Sequence, residues 1–343
     1  VGIAAGQIGL ADERFTKTLW SDRVSAERPR LVSVRDEADQ ARYVAGKVLE
    51  SRETGVALKA QAVLFRASHH SAPLEIELAR RNIPFVKYGG LKFLEAAHIK
   101  DVLAFLRWAE NPRDRVSGCR VIQLLPGPGP ATAERLLDRV MAASDPLPAI
   151  AAFAPPAACA AHWPAFAEAI GLVHGQAAGW PAELDLVCRW YAPHLERIHD
   201  DAVLRQADLV QLAQIASTYP TRQRFLTELT LDPPEATSGE AGTPLIDEDY
   251  LILSTIHSAK GQEWTWVLVL NAVDGCIPSD LGTGSAAELE EERRLCYVGI
   301  TRAKRISKIS FTQNRRVHAL WQSQLPSRFV DELPEANVDL RES

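Results

Sequence analysis

Three short apolar runs, Leu31–Val34, Ala62–Phe65 and Phe85–Tyr88, alternate with segments of helical spacing over Asp36–Glu50 and Leu74–Arg81. Strand, helix and strand at this spacing specify a parallel sheet covered on both faces. The pattern then stops. From about Leu91 to Thr230 the periodicity is helical, with Ala97–Glu110, Ala131–Ala143, Leu184–Arg197 and Ala207–Leu229 as the best amphipathic stretches. Pro146–Pro164 is rich in Ala and Pro and reads as a loosely packed connection, and Leu231–Pro244 reads as a linker. Strands return at Tyr250–Ser254, Thr265–Leu270 and Ile306–Phe311, with a helix over Ala286–Val298 between the last two. A helical domain inserted into an α/β domain accounts for this order better than two domains in series. The expected division is 1–90 and 247–343 for the α/β part and 91–246 for the insertion.

Charge follows the same partition. The net charge of −6 argues against a chain that simply coats nucleic acid, but the three segments carry +3, −5 and −4 in chain order. Within the last, Arg293–Arg328 holds nine Lys/Arg and no acid, directly after Glu290-Glu291-Glu292. Such polarity is either a solvated helix face or a local anion site. The five cysteines are dispersed and never spaced C-x-x-C, as expected of small buried residues in a reducing compartment. No apolar run reaches the ~20 residues that span a bilayer. The chain therefore reads as soluble and cytoplasmic, without a membrane partner.

Some apparent motifs carry no chemistry. Asp36-Glu37-Ala38-Asp39 follows a strand like a Mg²⁺-holding acid, but its chemistry needs a preceding G-x-x-x-x-G-K-[ST] loop, and the sole Gly-Lys is Gly46-Lys47 inside a helix. The four residues are expected to be an acidic helix start. His194 and His199 are five apart, not the spacing of a zinc helix, and are expected at the surface. His69-His70, beside Arg66 at a strand end, stays open between a ligand loop and a structural pair.

Two segments do carry chemistry. Ser254–Trp264 (STIHSAKGQEW) is a polar loop between buried strands, with hydroxyls, an imidazole, an amine and a glycine suited to phosphates. Glu290–Arg305 (EEERRLCYVGITRAKR) begins as an acidic amphipathic helix, is expected to break at Gly299, and places Thr301-Arg302 on the turn beyond. An arginine there suits a γ-phosphate, because its planar fork neutralises charge that develops in the transition state.

Together these segments resemble the fifth and sixth signature motifs of superfamily 1 DNA helicases of the UvrD/PcrA/Rep type. Val63–Arg66 followed by FVKYGGLK (85–92), the LPGPG of Leu125–Gly129, and PSRF with ELP near the end (326–329, 332–334) agree with that family. The resemblance covers essentially the whole chain. It implies the C-terminal half of such a helicase: a second RecA-like parallel sheet domain interrupted by a mainly helical mobile domain. It also implies a partner RecA-like domain elsewhere that carries the phosphate loop and the Mg²⁺ acid. ATP, with Mg²⁺, would bind between the two RecA-like domains, and the motor would step 3′ to 5′ along one DNA strand in repair or replication. This chain alone is expected to be inactive.

Carried over by resemblance, Arg302 would be the arginine finger and Glu263 the ribose contact. Arg66, Ser68, Thr255 and His257 would hold single-strand phosphates or sugars. Gly127 and Gly129 would form a hairpin that meets the duplex near a single/double-strand junction. Lys260, Arg293 and Arg294 would couple the nucleotide and DNA sites, and no residue is assigned to a metal. Gln262 stands where the family has an apolar residue, Pro128 separates the hairpin glycines, and His69 replaces a small residue. The insertion's charge of −5 also opposes duplex binding. Two other readings fit the residues: a non-catalytic nucleic-acid or protein-interaction module, and the motor part of a helicase–nuclease.

Overall fold

The computed structural model describes residues 28–90, 92–230, 249–317, 320–334 and 338–342. They fall into two compact units, one drawn from Val1–Lys92 and Asp232–Ser343, the other from Phe93–Leu231. Residues 231–244, read as a linker, lie outside the described residues.

The first unit is built on β1 (Arg30–Val34), β2 (Gln61–Phe65), β3 (Phe85–Tyr88), β4 (Leu251–Thr255), β5 (Trp264–Val269), β6 (Ala303–Thr312) and β9 (Asp339–Glu342). They form one seven-stranded sheet in the order β3-β4-β2-β5-β6-β1-β9, every pairing parallel. Alternate residues of the central strands feed two cores. Ala62, Leu64, Val267 and Val269 point to the face covered by α11 (Ala286–Thr301), where Leu295, Cys296 and Ile300 are buried. Val63, Phe65, Trp266 and Leu268 point to the face covered by α1 (Glu37–Glu53) and α2 (Ala72–Arg80). Burial on both sides is why these strands read as continuous apolar runs. A hairpin of β7 (Asn314–Val317) and β8 (Leu320–Ser323) follows β6, and the short helix α12 (Arg328–Asp331) comes after it.

Asp36 is the N-cap of α1, its side chain accepting from the Asp39 N–H, so the acidic tetrad is a helix start. Lys47 lies inside α1, paired with Glu50. Helix α11 differs from expectation: it runs through Gly299 to Thr301, with Arg302 as C-cap. A Cβ on Gly299 would lie 3.5 Å from Ile256 and from Val269, so this glycine brings the helix close to the sheet rather than ending it.

The second unit contains α3 (Ala97–Glu110), α4 (Arg115–Ile122), α5 (Pro130–Ala142), α6 (Pro146–Ala151), α7 (Trp163–His174), α8 (Ala182–Ile198), α9 (Ala202–Ala216) and α10 (Arg222–Thr230). Residues 146–164 are not loosely packed. Ile150, Cys159 and Trp163 are buried, and Trp163 Nε1 donates to the Ile150 carbonyl at 3.2 Å. The prolines there begin helices, where a missing N–H costs nothing, instead of breaking them. Trp163, Phe166 and Trp108 continue that core, with ring centroids 5.1 Å and 5.9 Å apart along the chain of contacts. The single helix read over 207–229 is two helices. The Ser217 and Thr218 hydroxyls cap the carbonyls of Gln214 and Ile215, and Pro220 supplies no N–H.

His194 is also buried rather than superficial, 4% exposed on α8. Burial first, then Arg197 and His162, lower its imidazole to about 4. The unfolded chain takes up this proton near pH 6.5 while the folded chain resists it, so stability is lost as pH falls. Between pH 7 and 4.5 this residue alone costs about 2–3 kcal/mol. A His194→Gln variant is expected to lose that much less over the same interval, read from urea midpoints at the two pH values.

Candidate nucleotide and nucleic-acid sites

In a parallel sheet all strands end at one edge and begin at the other. The candidate residues divide between these two edges.

At the C-terminal edge, β2 ends in Phe65 opposite Thr255 of β4, and β3 ends in Tyr88 opposite Ser254. Arg66, Ser68, Thr255 and His257 therefore emerge side by side. Thr255 Oγ1 donates to Ser258 Oγ at 3.0 Å and accepts from the Ser258 N–H at 3.3 Å. Gly89 and Gly90, at φ +84° and +147°, press against this cluster. A Cβ on Gly89 would collide with Thr255 Oγ1, and one on Gly90 would lie 2.5 Å from Ser68 Oγ. Only glycine admits both the backbone conformation and the approach.

Arg66 does not stand free there. Its Nε donates to both carboxylate oxygens of Glu292 at 2.9 and 3.0 Å, and its Nη2 donates to Oε1 at 2.6 Å. Glu292, 3% exposed on α11, also accepts from the Ser279 N–H at 3.1 Å. This fork fixes the direction of a guanidinium that keeps 24% side-chain exposure. His257 is exposed, yet partial desolvation and then the nearby Arg66 charge lower its imidazole, against opposing pulls from Glu292 and Glu291. A neutral ring there can donate or accept a hydrogen bond. His70 is buried, and burial holds it well below its ordinary value; its Nδ1 faces the Ala67 N–H at 3.4 Å, a structural rather than a ligand arrangement.

At the opposite edge, β5 and β6 begin with Trp264 opposite Ala303. Arg302 is tied in here: its carbonyl accepts from the Trp264 N–H at 3.0 Å. Its Nε donates to Val298 O at 3.1 Å, Nη1 to Gln262 O at 3.2 Å and Nη2 to Thr301 Oγ1 at 3.2 Å. All three acceptors are neutral. Glu263, exposed, sits between Gln262 and Trp264, both of which touch Arg302.

Two connections run between the edges. Residues 256–263 cross from the end of β4 to the start of β5, anchored by buried Ile256 and Ala259, with exposed Lys260 on the way. Helix α11 crosses in parallel, from Glu292 at the Arg66 edge to Arg302, ten positions or about 15 Å along its axis. Arg293 fastens that helix to the last described segment through Glu332, at 2.9 Å, and Glu290, with its guanidinium 5.6 Å from the Phe329 ring. Arg294 is exposed and meets Glu291 at 3.2 Å.

Gly127 and Gly129 lie in the helical unit, on the turn between α4 and α5. Gly127 has φ +97°, and a Cβ there would lie 2.6 Å from Ala158 Cβ; Gly129 is the N-cap of α5. The turn is thus shaped by local packing whatever else it meets.

Glu292 and Lys87 went unnoticed in the sequence. Their signals were periodic: Glu292 shares a helical stripe with Leu289, Cys296 and Gly299, and Lys87 shares a strand face with buried Phe85.

Comparison with known proteins bears directly on these edges. The UvrD-like helicase C-terminal domain family matches residues 1–146 and 210–314, a span that includes the candidate residues of both edges. The chain belongs to this family. It is 32% identical over 340 residues to DNA helicase II of Haemophilus influenzae, covering 94% of this chain and 46% of that protein. DNA helicase II of Escherichia coli is 30% identical over 362 residues (95% and 47%), and the ATP-dependent DNA helicase PcrA of Staphylococcus epidermidis 29% over 347 (95% and 47%). The chain spans about half the length of the curated relatives it matches. Among the described residues no helix is long and apolar enough to cross a membrane.

Proposed function

We propose that this chain is the C-terminal half of an ATP-dependent 3′→5′ DNA helicase, supplying one side of the nucleotide site and part of the single-strand track. The observation that carries the proposal is α11, which clamps Arg66 at one edge of the sheet and ends in Arg302 at the other. At the nucleotide edge, Arg302 exchanges its neutral acceptors, Val298 O and Gln262 O, for phosphate oxygens, and Glu263 meets the ribose. Charge-assisted bonds are about twice as strong as neutral ones, so the exchange is favourable once a phosphate arrives. Among the described residues no three His, Cys, Asp or Glu side chains gather as a metal cage. Mg²⁺ and the phosphate loop are accordingly assigned to an N-terminal RecA-like half. Bound there, the metal would neutralise charge on the transferred phosphoryl group.

At the DNA edge, Arg66 offers charge, while Ser68, Thr255 and neutral His257 offer hydrogen bonds to phosphate or sugar. Closure of the nucleotide cleft pulls on Arg302; α11 and the 256–263 connection carry that pull to Arg66, Thr255 and His257. Lys260 and Arg293 act along these two paths. Duplex contact through Gly127 and Gly129 belongs to the same proposal.

Anisotropy of labelled oligo(dT) and phosphate release, both measured on the 343-residue chain, test this reading. The chain is expected to bind oligo(dT) with log affinity falling by about 0.7 per phosphate neutralised for each decade of salt. ATP turnover is expected to stay at background. Absence of oligo(dT) binding, or turnover abolished by Arg302→Ala, contradicts it.

A further inference from the structure

Beneath the single-strand edge lies an ion pair that none of the roles above uses. Lys87 of β3 has a side chain only 2% exposed, and its Nζ donates to Glu75 Oε1 of α2 at 2.7 Å, that carboxylate being 5% exposed. The same Nζ donates to the Ser68 carbonyl at 3.0 Å and lies 5.7 Å from the centroid of the Phe65 ring. Ser71 Oγ sits 2.8 Å from that carbonyl and 2.6 Å from Glu75 Oε1, and its single proton serves one of them. Taking two charges out of water gains little net stability. What such a pair does supply is direction, because an ammonium with an anion fixed behind it holds its remaining donors in place.

The residue so held is Ser68, at the start of the turn that follows Arg66. Its hydroxyl faces Gly90, two residues past the strand end that places Gly89 against Thr255 Oγ1. The end of β3 thus seats hydroxyls contributed by two other connections, one from below through Lys87 and one from the side through its glycines. We infer that Lys87 is a positioning residue for single-strand binding: buried, unable to touch DNA, it holds the 66–71 loop in the geometry that phosphate or sugar contact requires. The inference rests on the reading of this edge as the DNA track.

The test compares oligo(dT) affinity, its salt dependence and thermal stability in four variants of the 343-residue chain. Lys87→Met is expected to weaken binding about tenfold, the loss of roughly one contact. The double variant Lys87→Met/Glu75→Gln removes the stranded carboxylate charge, so it regains stability but stays about tenfold weaker. Its salt slope drops by about 0.7, one phosphate, although Lys87 itself reaches none. Lys87→Arg, which still donates to both oxygens, binds within twofold of the parent. Recovery of affinity together with stability in the double variant, or unchanged binding in Lys87→Met, overturns the inference. His257→Ala removes an exposed ring of the same edge and touches neither Lys87 nor Ser68. If that variant and the Lys87 variants all bind as the parent does, the reading of the edge fails; if only the Lys87 variants do, the positioning role fails alone.

Discussion

Replacing Arg302 by alanine in the complete helicase is expected to lower DNA-stimulated ATP turnover about a thousandfold, with oligo(dT) affinity held within twofold. An arginine finger is worth a factor of about 10³ or more because its fork neutralises charge that appears only in the transition state. The fold is expected to survive the change. The three bonds lost are to Val298 O, Gln262 O and a hydroxyl, on a half-buried side chain whose acceptors water can reach. Arg302→Lys is expected to recover little, since a point charge cannot reproduce the planar fork. A loss in turnover of less than tenfold, measured at saturating ATP, would remove Arg302 from the reaction.

The second large effect concerns Glu292. Alanine at this position is expected to destabilise the α/β unit by about 3 kcal/mol, read as a fall in the urea midpoint. Four hydrogen bonds converge on this carboxylate, three from Arg66 and one from the Ser279 N–H. Truncation leaves a guanidinium and a backbone donor without their acceptor, and the desolvation already incurred is not returned. Glu291→Ala, one residue away on the exposed side and paired only at the surface with Arg294, is expected to change stability by less than about 0.5 kcal/mol. Equal effects from the two neighbours would refute the clamp.

That contrast shows what the sequence makes legible. The strands were readable because both of their faces are buried, and the helices around Ala41–Val48 and Val102–Ala109 because their apolar residues repeat at helical spacing. The candidate residues were readable as motifs. What the motifs could not give was which edge each residue occupies, because that depends on strand order, and strand order is set by pairings between segments as much as 270 residues apart, as with Gln40 and Ser310. Glu290-Glu291-Glu292 reads as one acidic run. In three dimensions it is three residues with different partners: Arg293, Arg294 and Arg66. Gly299 reads as a breaker, but a buried helical glycine is equally a point of close approach. In the helical unit, Pro146 and Pro164 were read as punctuation when their positions at helix starts make them part of the packing.

The central claim is that DNA and nucleotide meet opposite edges of one sheet and communicate through α11 and the 256–263 connection. Its most direct test is the oligo(dT) dependence of ATP turnover in the complete helicase carrying His257→Ala, an exposed residue at the DNA edge alone. The account predicts that the oligo(dT) concentration for half-maximal stimulation rises about tenfold, one contact's worth, while the maximal rate stays within twofold. A collapse of the maximal rate at an unchanged half-stimulating concentration would contradict it, because His257 would then belong to the chemistry and not to the track.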